Sequence, residues 1–322
     1  MKTASAMQTY VADFLAERRR LGFALRSMGS ALGNFARYID GLEIPGPLTV
    51  EVMSAWARDP NNGSDNPLTW ARRLKILRSF ARWMQQFEPD TEVPDDSVFG
   101  SVDRRLTPHI YTEQEIADLL VAAGRLQPPL RGATYETLFG LLAATGLRVS
   151  EALHLLEADV DLRSALLTVR QTKFAKSRQV PLHVSTVEAL TAYRRQRDRQ
   201  IARSDAMPFF VATRGRRQGG ALSLRHVDRV FRYLCDRSGR VNRGAHHAPR
   251  IHDLRHTFVV RRMLLWQAQG IDVDQQMLAL STYVGHAMVT NTYWYITAVP
   301  ALMAPAAERF EPLLPSAEAS YV

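Results

Sequence analysis

The sequence predicts a mainly α protein with a small antiparallel β-sheet, split into a helical N-terminal domain and a larger mixed C-terminal domain. Three observations predict it. Apolar residues recur at helical spacing through most of the chain. Only two short β-prone runs, ALLTVR (165–170) and QVPL (179–182), face each other across a polar connection. The 322 residues exceed one ordinary domain, and an acidic, proline-containing stretch falls between two basic blocks.

In chain order, Met7, Tyr10, Val11, Phe14 and Leu15 trace one apolar helix face, and Met28, Leu32, Phe35, Ala36 and Ile39 trace a second. The loop DPNNGSDNP then leads into a third helix, with Asn66 as N-cap and Pro67 at the first helical position. Its buried stripe is Trp70, Leu74, Leu77, Ala81 and Met84. Arg72, Lys75, Arg78 and Arg82 project elsewhere, as a solvated basic face or a grip on a phosphate backbone. Segment 89–103 carries five acidic residues and no basic one, and reads as an interdomain linker. The expected division is a helical domain over 1–100, a linker over 101–108 and a second domain over 109–322.

In the second domain Thr112 and Glu115 form a capping box, as do Ser185 and Glu188 before ALTAYRRQR. ALLTVR and QVPL make a hairpin with the basic tip QTKFAKSR, and PFFV (208–211) offers one further strand. The helix beginning DLRHTF runs to a stop at Gly270.

Composition narrows the function. There are 41 Lys+Arg against 32 Asp+Glu, a formal charge of +9 that favours a polyanionic partner. A single cysteine, Cys235, excludes a disulfide framework and fits a reducing cytosol. No apolar run approaches the roughly 20 residues that span a bilayer, and the N-terminus lacks the apolar core of a secretory signal. The expectation is a soluble cytoplasmic protein that works beside nucleic acid.

Four segments carry residues capable of chemistry. In ATGLRVSEAL, Gly146 breaks the chain just before Arg148, whose five-donor fork suits a phosphate; the plainer alternative is a surface arginine paired with Glu151. The hairpin tip holds Lys173, Lys176 and Arg178, and a lysine there can reach a leaving oxygen or simply keep the edge soluble. In PRIHDLRHTF, His252 and Arg255 sit three apart at a helix start, on one face, offering an imidazole and a second guanidinium to the same anion. His252 and His256 also resemble the zinc pair of HExxH, with His246 and His247 close by, but the second position is Asp253 and Arg255 would repel a divalent cation. In YVGHAMVTNTYWYITAV, His286 precedes Tyr293 and Tyr295, and a phenol becomes a nucleophile at neutral pH only with cationic help.

Together these segments resemble the catalytic domain of the tyrosine recombinases, the phage-integrase and Xer-like family. The family order Arg, Lys, His-x-x-Arg, His, Tyr is met by Arg148, Lys173, His252 with Arg255, His286 and Tyr295, with Tyr295 three residues after Thr292 as in a T-x-x-Y pattern. Glu151 matches the family's acidic residue after the first arginine. Phe174 departs from the glycine that many relatives have, which keeps Lys176 as an alternative to Lys173, and Tyr293 competes with Tyr295.

The resemblance implies a site-specific recombinase or integrase, as a mobile element would encode, with DNA integration, transposition and chromosome-dimer resolution all open to it. It would cleave and rejoin double-stranded DNA through a 3′-phosphotyrosine on Tyr295, with no metal, ATP or other cofactor. Arg148 and Arg255 would clamp the phosphate, Lys173 would protonate the leaving 5′-oxygen, His252 would help deprotonate the tyrosine and His286 would bond the phosphate. DNA contacts are expected from Arg72, Lys75, Arg78, Arg82, Lys176 and Arg178, with segment 89–107 as a strap between two clasping domains. The resemblance also implies a tetramer on synapsed sites, possible accessory subunits, no membrane association, and a C-terminal tail docked on its own or a neighbouring subunit. The alternatives are a type IB topoisomerase-like strand transferase, a non-catalytic DNA-binding protein and, last, a metal hydrolase.

Overall fold

In the computed structural model, which describes residues 6–23, 25–42, 46–102, 105–170, 177–239, 241–286 and 288–298, the chain divides after Arg105 into two units. The first is built from α1 (Ala6–Arg20), α2 (Arg26–Leu42), α3 (Val50–Arg58) and α4 (Pro67–Met84). Their apolar stripes meet in one core, where Phe14, Phe35, Trp56, Phe80 and Trp83 pack mostly edge-to-face. Asn66 caps α4 through its side chain on the Leu68 N–H, and Pro67 follows at the first position. Between α2 and the DPNNGSDNP loop lies one more helix than the periodicity shows, the nine-residue α3, capped by Thr49. Trp70 is half-buried rather than in the core, lying against Phe99.

The acidic segment differs from the expected strap. Glu92 N–H donates to the Leu48 carbonyl, Thr91 is buried, and Val93, Val98 and Phe99 pack on the first unit's core. Arg78 donates to the Pro94 carbonyl (2.8 Å) and to Asp96 (2.7 Å). The acidic charges that mark this stretch as a linker thus include one that pairs with α4.

The second unit is organised around α6 (Pro129–Thr145), apolar on most of its circumference and accordingly sunk in the core, with α5 (Glu113–Gly124) beside it. The Thr112–Glu115 capping box opens α5 as expected. After α7 (Val149–Leu153), three antiparallel strands follow in the order β1 (Val160–Asp161), β2 (Leu166–Val169) and β3 (Arg178–Pro181), with Leu167 opposite Val180. The third strand is β1, not PFFV. Phe209 and Phe210 are both buried against Tyr193, which breaks strand alternation, and Pro208 and Val211 make only isolated bridges. α8 (Val184–Asp198) is capped by His183, whose side chain accepts from the Ser185 N–H, so the expected Ser185–Glu188 box is replaced one turn-start earlier.

α9 (Leu224–Arg237), α10 (Asp253–Ala268), α11 (Val273–Val284) and α12 (Thr290–Ala298) complete the unit, and Gly270 ends α10 just past its cap with φ +69°. Val259, Val260, Met263, Met277, Leu280, Val284 and Tyr295 form a small core joining α10, α11 and α12. Among the described residues, no helix is long and apolar enough to cross a membrane. The two ends that matter for chemistry are the C-termini of α6 and α11.

Candidate active site

Both of those ends are glycine-capped in the left-handed region, Gly146 at φ +63° and Gly285 at φ +73°. A side chain at either position would strain the backbone and push a neighbour aside. A Cβ on Gly146 would lie 2.6 Å from the Phe258 ring, and one on Gly285 would lie 2.5 Å from the Arg178 guanidinium. The exposed carbonyls of a helix C-terminus carry partial negative charge, and here they collect arginines. Arg148 Nη2 donates to the Gly285 carbonyl (2.9 Å), while Arg255 Nη1 donates to the Val284 carbonyl and the Gly146 carbonyl, each at 2.7 Å. Arg178 donates to the Tyr283 carbonyl at 2.9 Å and the Val284 carbonyl at 3.2 Å.

Glu151 binds the cluster from the other side. It accepts from the Arg148 backbone N–H (3.0 Å), from Arg148 Nη1 (2.8 Å) and from both Nη atoms of Arg178 (3.1 and 2.8 Å). Burial opposes ionisation of this carboxyl, but the Arg178 fork and Arg148 outweigh it and hold Glu151 below the usual carboxylate range. Arg148 thus pairs with Glu151, as the plainer reading has it, and remains one-third exposed. Arg178, expected among the DNA contacts, is instead drawn inward at the start of β3, with its fork on Glu151.

Arg255 is buried, and its Nη2 has no hydrogen-bond partner among the described residues. Burial, then the nearby Arg148 charge, pushes its guanidinium down to about 10. A buried donor left unpaired beside a second guanidinium is able to serve an anion. His252 caps α10 beside them and is exposed; the protein around it, then Arg255 and Arg250, push its imidazole down to about 4. His286 lies one residue past the Gly285 cap, with Nδ1 2.7 Å from the buried Thr292 hydroxyl and its ring nearly parallel to Tyr295.

Tyr295 is buried on α12 with its hydroxyl 2.6 Å from Nδ1 of His256. Two residues along an α-helix turn a side chain by roughly 200°, and Tyr293 accordingly sits on the opposite, solvent side, 38% exposed. His256 and Thr292 thus enter the site as residues whose contacts the sequence did not reveal. His256 stands in the motif beside Arg255, but only its packing against α12 discloses the tyrosine as its neighbour. The rings of His252 and His256 touch edge-on, 4.8 Å between centroids, and among the described residues no three of His, Cys, Asp and Glu converge as metal ligands. Lys173 and Lys176 lie outside the described residues, as does the tail beyond 298. Cys235 is buried in the core of the second unit.

This geometry gathers Arg148, Arg178 and Arg255 at the end of α11, with His286 stacked near Tyr295, and known proteins give the class a name. Residues 110–300 match the model of the phage integrase family. A putative integrase/recombinase, y4rB, from Sinorhizobium fredii is 36% identical over 95% of this chain and 98% of its own length. Tyrosine recombinase XerC from Chlamydia trachomatis is 31% identical over 70% of this chain and 66% of its own length. Among solved structures, the Tn1549 transposon integrase in complex with transposon right end DNA superposes with a TM-score of 0.62 at 15% identity, covering 92% of this chain and 99% of that one. The chain belongs to the phage integrase family of tyrosine recombinases and is a site-specific recombinase.

Proposed function

We propose that Tyr295 is the nucleophile of this recombinase and that Arg148 and Arg255 jointly hold the scissile phosphate of a DNA duplex. The observation that carries this reading is the convergence of the two guanidiniums on consecutive carbonyls, Gly285 and Val284, with Arg255 Nη2 left open. The phenol oxygen attacks phosphorus, the P–O5′ bond breaks, and a 3′-phosphotyrosine and a 5′-hydroxyl result. The two arginines stabilise the charge that builds on the non-bridging oxygens, a role whose loss typically costs about 10²–10³ in rate per donor. Lys173 donates the proton to the 5′-oxygen, with Lys176 as the alternative. His286 contacts the phosphate, and so does His252, which gives up the proton-accepting role the resemblance implies for it because His256 holds the Tyr295 hydroxyl. Glu151 with Arg178 fixes Arg148. Because the phosphoester is conserved in the covalent link, rejoining needs no ATP.

The duplex is further gripped by basic faces of both units. Arg72 and Arg82 are exposed on α4. α9 buries Val227, Val230, Phe231 and Leu234 while exposing Arg225, Arg229 and Arg232 at i, i+4 and i+7. Fold relatives solved on DNA, the Tn1549 integrase among them, support a duplex as partner and the movement of a mobile element as the setting. Each site cuts one strand, so exchanging two duplexes takes four copies, which supports a tetramer on synapsed sites, acting in the cytoplasm beside the nucleoid with or without accessory subunits. Incubation with nicked duplexes tiled across the DNA flanking the chain's own gene tests the reading. The wild type should form a denaturation-resistant adduct that Tyr295→Phe abolishes without weakening binding; an adduct retained by Tyr295→Phe would overturn it.

A further inference from the structure

We propose that His256 is the proton acceptor for the Tyr295 nucleophile, a role distinct from the phosphate contacts of His252 and His286. The inference rests on the strand-transfer reading above and adds to it the group that receives the phenol's proton. Its basis is geometric: Nδ1 of His256 lies 2.6 Å from the Tyr295 hydroxyl, and the two rings are 5.4 Å apart. One residue along α10 turns a side chain by roughly 100°. Arg255 therefore faces the Gly146 and Val284 carbonyls while His256, the next residue, meets α12. His252 sits at the helix cap, exposed, with its ring against the edge of His256.

In the tautomer with the proton on Nε2 the hydroxyl donates and Nδ1 accepts, the arrangement that proton transfer requires. Burial, then His252 and the Arg250 and Arg255 guanidiniums, push His256 down to about 2. The ring is therefore unprotonated across the physiological range and always ready to accept. Such a nitrogen is a weak base while the site is empty of anions. Its basicity rises when a phosphodiester enters between the cations that depress it, and again as negative charge builds on the phosphorane oxygens. In the step itself the Tyr295 O–H bond breaks, its proton passes to Nδ1 and the Oη–P bond forms. The P–O5′ pair leaves on the 5′-oxygen, which is protonated by the lysine. On rejoining, the imidazolium returns its proton to the phenolate, so no proton is consumed over a full cycle.

The test uses the full chain and the tiled, nicked duplex that the wild type traps best. His256→Asn keeps an acceptor near the Nδ1 position but cannot take a proton, whereas His256→Ala removes both. Both variants should bind that duplex within about twofold of the wild type and cleave it at least about 100-fold more slowly, the scale of a lost general base. Placing 3,5-difluorotyrosine at position 295, whose phenol ionises more readily, should restore much of the rate in His256→Ala and change the wild type little. Near-wild-type cleavage by His256→Asn, or no rescue by the fluorinated nucleophile, overturns the inference and leaves the strand-transfer reading standing. A wild type that binds these duplexes yet traps none overturns the reading itself, and this inference with it.

Discussion

Arg148 and Arg255, separated by more than a hundred residues of sequence, donate to the carbonyls of two consecutive residues, Gly285 and Val284, at the end of α11. That single helix end brings the two guanidiniums to carbonyls one residue apart, whose relative direction is set by the left-handed φ of Gly285. Arg178 bonds the same end and closes the arrangement through Glu151. Like charges crowded together repel, so the site exists only because the carbonyl dipoles and one buried carboxylate offset them.

Glu151→Gln removes that carboxylate's charge and leaves the largely buried Arg178 without its counter-ion. Breaking a buried pair from one side typically costs roughly 3–5 kcal/mol. Urea denaturation should show a loss of this order, together with slower DNA cleavage. A variant as stable as the wild type would mean that the Glu151–Arg178 fork is not a structural tie.

Gly285→Ala places a methyl group 2.5 Å from the Arg178 guanidinium at a φ of +73°. The left-handed conformation alone costs an alanine roughly 1–2 kcal/mol, and displacing Arg178 disturbs Arg148 through Glu151. Cleavage should fall at least about tenfold while DNA affinity changes little. Unchanged cleavage rates in a single-turnover assay would count against this cap as the organiser of the arginines.

The outline of the fold and most of the site are legible because both depend on local spacing. Helical periods and the Asn66 and Thr112 caps survive translation into structure with little help from tertiary contacts, and Arg148 and Arg255 do come together at one helix end. Arg178 does not read correctly, since nothing in TKFAKSRQVPL shows that the end of α11 passes beside β3. His256 reads as half of a metal-like pair because helical spacing links it to His252, whereas its decisive neighbour comes from α12. α3 escapes detection because its nine residues include two valines in an alternating start, and PFFV reads as a strand although both of its phenylalanines turn inward. In each miss, long-range packing overrides the local signal.

Acid should destabilise the fold from about pH 6.5 downwards. His256 is held neutral down to about 2 by burial and by the facing His252, Arg250, Arg255 and His286, with Tyr295 as its bonded partner. An unfolded histidine takes a proton near about 6.5. The stability due to this neutral ring is thus complete above that pH and lost progressively below it, because the unfolded chain binds the extra proton. Thermal melts between pH 7.5 and 5 should fall more steeply for the wild type than for His256→Asn. Parallel curves would contradict the assignment.

Salt separates the arginines of α4. Affinity for duplex DNA should drop steeply with salt, and the log–log slope should weaken by about 0.9 for each phosphate contact removed. Arg72→Ala and Arg82→Ala should each produce that change. Arg78→Ala should instead leave the slope unaltered and lower the melting temperature, since its guanidinium is bound to Pro94 and Asp96. A reduced slope for Arg78→Ala with full stability would place that residue on the DNA.

The most direct test of the central claim is to digest the trapped protein–DNA adduct and locate the nucleotide-bearing residue by mass spectrometry. The account predicts the remnant on Tyr295, linked to a DNA 3′-phosphate, in the peptide that follows His286. A remnant on Tyr293, or on any residue outside α12, would contradict it.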